Sequence, residues 1–194
     1  MEDQKIIFDE QLLPVVGGVV KMQDNVYPEE EFIKIQSKIM GSQFPWYLQE
    51  SGVSVKKSLG GDGFQFTHQL RSVDGGISPY NDLFRDLYIH LGVKRLFRSK
   101  LNLLYRTDEI HEFQPLHIDL SEDNPPWTTA IFYLNTNNGY TLFEDGTKVE
   151  SVANRMVEFE GHTAHTGSTH TIGTPCHEYD EGRFRVVLNI NFLR

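Results

Sequence analysis

Leu116-His117-Ile118-Asp119-Leu120 is the stretch on which the reading of this chain turns. In an extended strand successive side chains alternate faces, so His117 and Asp119 point the same way, about 6 to 7 Å apart at the Cα level. An imidazole and a carboxylate then share one face, while Leu116, Ile118 and Leu120 hold the other against a core. Two such groups begin a metal site without completing one. With eight His and 27 acidic residues in 194, about one His-x-Asp/Glu tripeptide arises by chance. The partners must come from elsewhere in the chain.

Composition limits the search. A chain of 194 residues, 39% hydrophobic, suits one domain with a sizeable core. The formal charge of −9 and pI near 5.3 oppose a phosphate backbone, which sets nucleic acid aside as a partner. A single cysteine, Cys176, excludes an internal disulfide framework and a Cys-rich zinc site, and suits a reducing compartment. Met1-Glu2-Asp3-Gln4-Lys5 lacks the basic region of a secretory signal. The apolar run Leu12 to Val20 is short and broken by Pro14, Gly17 and Gly18, so a cytoplasmic protein with no membrane span is expected.

Residues 1 to 24 read as two strands around a turn at Pro14 to Gly18. A helix follows, with Pro28 at its start, three glutamates in its first turn, Phe32, Ile35 and Ile39 on one face and Gly41 as its stop. Phe44 to Leu48 is an aromatic strand or rim, residues 51 to 63 a polar loop, and Phe64 to Arg71 a strand. The 3.6-residue repeat of Tyr80, Leu83, Phe84, Leu87, Tyr88 and Leu91 predicts a long core-facing helix from Ser78 to Gly92. From there the pattern turns to β. Lys100 to Arg106 alternates, with Leu101, Leu103 and Tyr105 on one face; Thr128 to Leu134, Tyr140 to Phe143, Lys148 to Ala153, Arg155 to Phe159 and Arg185 to Phe192 follow, with a hairpin turn at Asp145-Gly146. Short strands at this spacing indicate a sandwich or barrel, preceded by helices.

A metal held by two histidines and one carboxylate keeps further coordination positions open, the arrangement of non-haem Fe(II) oxygenases. The second histidine has candidates in His162, His165 and His170, with His177 further off, set against the reading that Gly161 to Glu181 is only a polar surface loop. The closing strand, Arg183-Phe184-Arg185-Val186-Val187-Leu188-Asn189-Ile190-Asn191-Phe192, puts an arginine at the entry of an apolar run. Its planar fork suits a carboxylate, and burying it demands an anion. The alternative is an exposed strand-end arginine.

Taken in order, His117-x-Asp119, Ile131-Phe132-Tyr133-Leu134-Asn135, Asn138-Gly139-Tyr140-Thr141-Leu142-Phe143, Phe159-Glu160-Gly161-x-x-x-His165-x-Gly167 and Arg185-Val186-Val187-Leu188-Asn189 resemble the Fe(II)/2-oxoglutarate dioxygenases, and among them the prolyl 4-hydroxylase-like branch. The resemblance covers about residues 98 to 192. It implies a mainly β protein with N-terminal α-helices and a double-stranded β-helix, a cupin-like jelly roll. One domain would span 1–194, with strands and supporting helices in 1–97 and the iron-carrying core in 98–194. His117, Asp119 and His165 would hold the metal, and Arg185 the distal carboxylate of 2-oxoglutarate. Tyr133, Asn189 on the strand face of Arg185, and Tyr105 would assist with the co-substrate.

The implied cofactors are Fe(II) and 2-oxoglutarate, with ascorbate as an accessory reductant. The implied reaction is hydroxylation by O2, with release of succinate and CO2, of a peptide, protein or small molecule. The 20 positions from His165 to Arg185 make 166–182 an insertion beside the site, where Tyr179 or His177 would belong to a lid; they also keep His170 and Arg183 open as alternatives. Two rivals use the same residues differently: a cupin-like enzyme with another metal and no 2-oxoglutarate, and a binding module without catalysis.

Overall fold

The computed structural model describes residues 10–15, 18–49, 65–112, 115–120, 126–175 and 182–194. In chain order the described elements are β1 (Glu10–Val15), β2 (Gly18–Gln23), α1 (Glu29–Met40), β3 (Tyr47–Gln49), β4 (Gln65–Arg71), α2 (Arg85–His90), β5 (Arg95–Tyr105), β6 (Thr128–Tyr133), β7 (Tyr140–Phe143), β8 (Lys148–Glu150), β9 (Met156–Glu160), β10 (His165–Gly167) and β11 (Phe184–Leu193). The protein is mainly β. Eight strands form an antiparallel sheet in the order β1-β2-β9-β6-β11-β5-β4-β3, and a smaller sheet runs β10-β7-β8.

The sequence of β11 explains why the large sheet has two different faces. Val186, Leu188, Ile190 and Phe192 alternate with Arg185, Val187, Asn189 and Asn191, and all eight are buried because neighbours flank the strand and layers cover both sides. The even set joins Leu101 and Leu103 of β5, Ala130 and Phe132 of β6, and Phe32, Ile35, Ile39, Leu87 and Leu91 of the helices in one core. On the other face Ile131, Tyr133, Val157, Phe159 and Val187 meet Phe143 and Val149 of the small sheet in a second core. The polar members of the odd set lie on this second face, beyond the edge of that core.

α1 forms where its sequence signals indicate. Glu31 and Phe32 donate their amides to the Pro28 carbonyl, three glutamates fill the first turn, and Phe32, Ile35 and Ile39 are its buried stripe. The segment ahead of it is pinned to the sheet. Asn154, with φ of 63°, gives both ends of its amide to the Tyr27 backbone, and Arg155 grips Asp24 through two bonds.

Other expectations change. The long helix from Ser78 is a 3-10 turn, Asn81–Phe84, followed by the six-residue α2. Ser78 keeps a cap-like bond, its Oγ accepting from the Tyr80 amide at 3.2 Å, and also bonds the ring of the buried His68 at 2.7 Å. The buried stripe survives because Phe84, Leu87 and Leu91 still reach the core. Pro14 lies inside β1, opposite Val19, rather than in a turn. The strand expected over Lys148 to Ala153 stops at Glu150. The first strands are not a separate layer, since β1 to β4 extend both ends of the large sheet. Positions 51–63 and the lid residues His177 and Tyr179 lie outside the described residues. Among those described, no helix is long and apolar enough to cross a membrane.

Candidate metal centre and its pocket

The site forms where the segment carrying His117 meets β10. His117 and His165 exchange both backbone hydrogen bonds, amide to carbonyl, at 3.1 and 3.0 Å, which aligns their side chains on one side of the pair. Asp119 follows two residues on. Atoms of His117, Asp119 and His165 that can bind metal all lie within 4.8 Å of one another. The alternative of a polar surface loop over Gly161 to Glu181 does not hold for its first half, where Thr163, His165, Thr166, Ser168, Thr169 and His170 are all buried.

Hydrogen bonding fixes which nitrogen each imidazole presents. Nδ1 of His117 meets the Pro115 carbonyl at 2.9 Å, and Nδ1 of His165 meets the Thr163 carbonyl at 3.0 Å. A carbonyl only accepts, so each Nδ1 donates and each Nε2 keeps its lone pair for the cluster. Phe159 packs edge-on against the His165 ring, with centroids 4.8 Å apart. Burial pushes the His165 pKa down despite the attraction of Asp119, so the neutral, ligating form is favoured.

Asp119 is held by three side chains, of which Arg98 and Asn191 were not among the sequence candidates. Arg98 Nη2 donates to Oδ1 at 2.7 Å, Asn191 Nδ2 donates to Oδ2 at 3.0 Å, and Asn189 Nδ2 reaches both oxygens. Burial alone would push its carboxyl up; the electrostatic pull of His165 and Arg98, then the Asn191 and Asn189 amides, outweighs that and holds it well below the usual carboxylate range. Two imidazoles and an ionised carboxylate, each oriented by a further hydrogen bond, form a donor set suited to Fe(II).

A pocket of about 90 Å³ opens beside the cluster. Arg185 lies at it, 3% exposed, with Nε donating to Ser151 Oγ at 2.8 Å and Nη2 to the Tyr140 carbonyl at 3.2 Å. Glycines make the room it occupies: a Cβ on Gly139 would fall 2.8 Å from the Arg185 Cδ, and one on Gly167 would fall 3.4 Å from its Nη1. Among the described residues no carboxylate pairs with this guanidinium. Burial pulls its pKa down, with only the Tyr133 hydroxyl opposing. A buried guanidinium without an acidic partner is costly, and its planar fork is suited to a carboxylate.

The remaining candidates separate. Asn189 lines the pocket and its amide serves Asp119. Tyr133 is fully buried with its hydroxyl on Thr141 Oγ1 at 2.8 Å; its ring lies 5.9 Å from the Arg185 Cζ, but it does not line the pocket. Tyr105 is not brought to the site. The pocket takes Lys100, Asn102 and Leu104 from β5, and strand parity sends Tyr105 to the opposite face with Leu101 and Leu103. His170 is buried outside the cluster, with Nε2 toward the Gly182 carbonyl, and Arg183 is exposed. Strand parity also gives the signal for what was missed. Asn191, Arg98, Lys100 and Asn102 all lie in phase with Arg185 and Asn189 across the β11–β5 ladder.

No protein-family model and no curated protein matches the sequence. Solved structures match it in fold. A 2OG-Fe(II) oxygenase family oxidoreductase from Burkholderia pseudomallei aligns with a TM-score of 0.60 at 11% identity, covering 94% of this chain and 84% of its own. A Trichoplax adhaerens prolyl hydroxylase, solved with a hypoxia inducible factor peptide fragment, gives 0.58 at 11% identity, covering 89% and 83%. The non-heme alpha ketoglutarate dependent carbocyclase SnoK of nogalamycin biosynthesis gives 0.53 at 13% identity, covering 89% and 78%. The chain therefore shares the fold of these three proteins over most of its length.

Proposed function

We propose that this protein is an Fe(II)- and 2-oxoglutarate-dependent oxygenase, a single domain built on a jelly-roll core, with His117, Asp119 and His165 as the iron ligands and Arg185 as the anchor of the co-substrate. The observation that carries this reading is the pairing of two features in one pocket: a His-Asp-His cluster and a buried arginine without an acidic partner among the described residues. A metalloenzyme with another metal would account for the cluster and leave the arginine unexplained. A binding module would account for neither the imidazole orientation nor the buried charge.

Bound Fe(II), with 2-oxoglutarate and O2, supplies the oxidising chemistry of this class, in which the co-substrate becomes succinate and CO2 and the substrate gains a hydroxyl. The chain's own residues do the rest. The Pro115 and Thr163 carbonyls hold the imidazoles to one tautomer, and Arg98, Asn189 and Asn191 keep the Asp119 carboxylate ionised and in place. Arg185, fixed by Ser151 and the Tyr140 carbonyl, takes the far carboxylate of 2-oxoglutarate; Tyr133 packs its ring near that guanidinium. Phe159 and Val187 shield the site from water. Hydroxylation of a prolyl residue is one outcome this fold serves in other proteins, but fold does not fix the substrate. Ascorbate would act only to keep the iron ferrous.

An anaerobic titration tests the assignment. Wild-type protein is expected to take up one Fe(II) per chain and then one 2-oxoglutarate, seen by calorimetry and by the absorption of the metal–keto-acid complex. Iron uptake without 2-oxoglutarate binding would favour the other metalloenzyme, and uptake of neither would favour the binding module.

A further inference from the structure

The pocket has a second polar wall for which the oxygenase reading has so far given no role. It is built from β4 and β5 by Gln65, Lys100 and Asn102, all on the face that Arg185 and Asn189 share. Gln65 is only 5% exposed. None of the three side chains makes a hydrogen bond or ion pair among the described residues. A buried amide and a largely buried ammonium normally find partners within the protein, because leaving them without one costs stability. Here they face the space beside the metal cluster instead.

Lys100 is the key member. Its Cα pairs with Asn189, whose amide holds Asp119, so the lysine stands one strand away from the ligand carboxylate. Asp119 is paired with Arg98 at 2.7 Å and makes no ion pair with Lys100. Desolvation, aided by the Arg98 charge and opposed by Asp119, lowers the Lys100 pKa to about 8, so the ammonium form persists at neutral pH.

Charge matching then points to the occupant. In the oxygenase reading the distal carboxylate of 2-oxoglutarate is met by Arg185, and the proximal one by the metal. Asp119 is met by Arg98, and the Lys100 ammonium is left over.

We propose that Gln65, Lys100 and Asn102 form the substrate subsite, and that the molecule oxidised here is a small anion whose carboxylate is received by Lys100 with the two amides beside it. This inference rests on the oxygenase reading and deepens it by naming the substrate class. A compact pocket favours a small molecule over a folded protein segment, and the cationic wall selects its charge.

The test uses wild-type protein loaded anaerobically with Fe(II) and 2-oxoglutarate, titrated with matched pairs: isobutyrate and isobutyramide, benzoate and benzamide, N-acetylalanine and N-acetylalaninamide. Binding is read from the change in the iron's ligand-field spectrum. The carboxylates are expected to bind at least about tenfold more tightly than their amides. That ratio should collapse toward unity in Lys100→Met and return in Lys100→Arg, with 2-oxoglutarate affinity shifting by less than about threefold. Equal binding of acids and amides, no binding of the acids, or a ratio that survives in Lys100→Met would overturn the proposal. So would a tenfold loss of 2-oxoglutarate affinity in Lys100→Met, of order 1.4 kcal/mol, which would assign the ammonium to the co-substrate. Failure of iron-loaded wild type to bind 2-oxoglutarate at all is a separate result, and would end the oxygenase reading together with this inference.

Discussion

Arg98 and Asp119 are joined by a 2.7 Å bond from Nη2 to Oδ1, and the carboxylate side chain is only 4% exposed. The acidic member of the metal cluster is thus charge-compensated and oriented before any metal arrives. The same guanidinium reaches Asn191 Oδ1 through Nε at 2.9 Å, and Asn191 in turn holds Asp119, so the three residues close a ring of hydrogen bonds. Such outer partners tune a metal ligand as much as the ligand's own identity does.

Replacing Arg98 by Met leaves a buried carboxylate without its cation. Loss of stability on the order of 3–5 kcal/mol is expected, together with a fall of roughly 10- to 100-fold in iron affinity. Urea unfolding and competitive metal titration measure the two effects. A variant with unchanged iron affinity would show that the pair is purely structural.

His165→Ala is expected to abolish stoichiometric iron binding, and His170→Ala to preserve it, because only His165 presents Nε2 to the cluster while His170 turns its own toward Gly182. Equilibrium dialysis against Fe(II) under argon distinguishes them. The reverse pattern would correct the ligand assignment.

Co-substrate affinity should follow Arg185 and the space around it. Arg185→Met removes hydrogen bonds to a charged group, on the order of 1.5–3 kcal/mol, or about 10- to 150-fold in Kd, whereas Arg183→Met changes it little. Gly139→Ala is expected to weaken 2-oxoglutarate binding as well, since its Cβ would fall 2.8 Å from both the Arg185 Cδ and the Thr169 carbonyl. Calorimetric titration of each iron-loaded variant checks the order.

Lys100 gives a pH signature of its own. Its folded pKa of about 8 lies below the ordinary lysine value of 10.5, so between these values the unfolded chain binds more protons than the folded one. Stability therefore rises with pH across that window, and the full cost of the buried ammonium is present below about 8. Lys100→Met is expected to be more stable than wild type at pH 7, with the difference shrinking toward pH 10.5. Denaturant unfolding of both proteins across that range reads it. A stability difference that stays constant with pH would show that Lys100 titrates normally. A functional residue that costs stability is the usual compromise at an active site.

How much of this was legible in the sequence depended on local periodicity. His117-x-Asp119 could be read from its spacing alone, because the segment is not the strand expected: only His117 forms a β-bridge, Leu116, Asp119 and Leu120 sit at bends, and Leu116 is 42% exposed rather than packed on a core. β11 could be read because its hydrophobic phase is unbroken. The helix expected from Ser78 is shorter than its 3.6 repeat indicates, because a 3-10 turn at Asn81–Phe84 precedes α2, although the Ser78 hydroxyl still accepts the Tyr80 amide. Arg98, Lys100, Asn102 and Asn191 were missed because their roles arise only when β5 lies in register beside β11, a pairing that at these residues joins positions 85 to 93 apart in sequence and that no local pattern encodes. Tyr105 erred for the opposite reason. Its alternation with Leu101 and Leu103 already placed it on the core face, and analogy overrode that signal.

The central claim is that one pocket joins an iron held by His117, Asp119 and His165 to a 2-oxoglutarate held by Arg185. Oxygen-dependent conversion of 2-oxoglutarate to succinate by the Fe(II)-loaded wild type, compared with His117→Ala and Arg185→Met, tests it most directly. The account predicts succinate from the wild type, even without added substrate at a slow rate, none from His117→Ala, and recovery in Arg185→Met only at much higher 2-oxoglutarate. A wild-type protein that binds iron stoichiometrically and forms no succinate would contradict it.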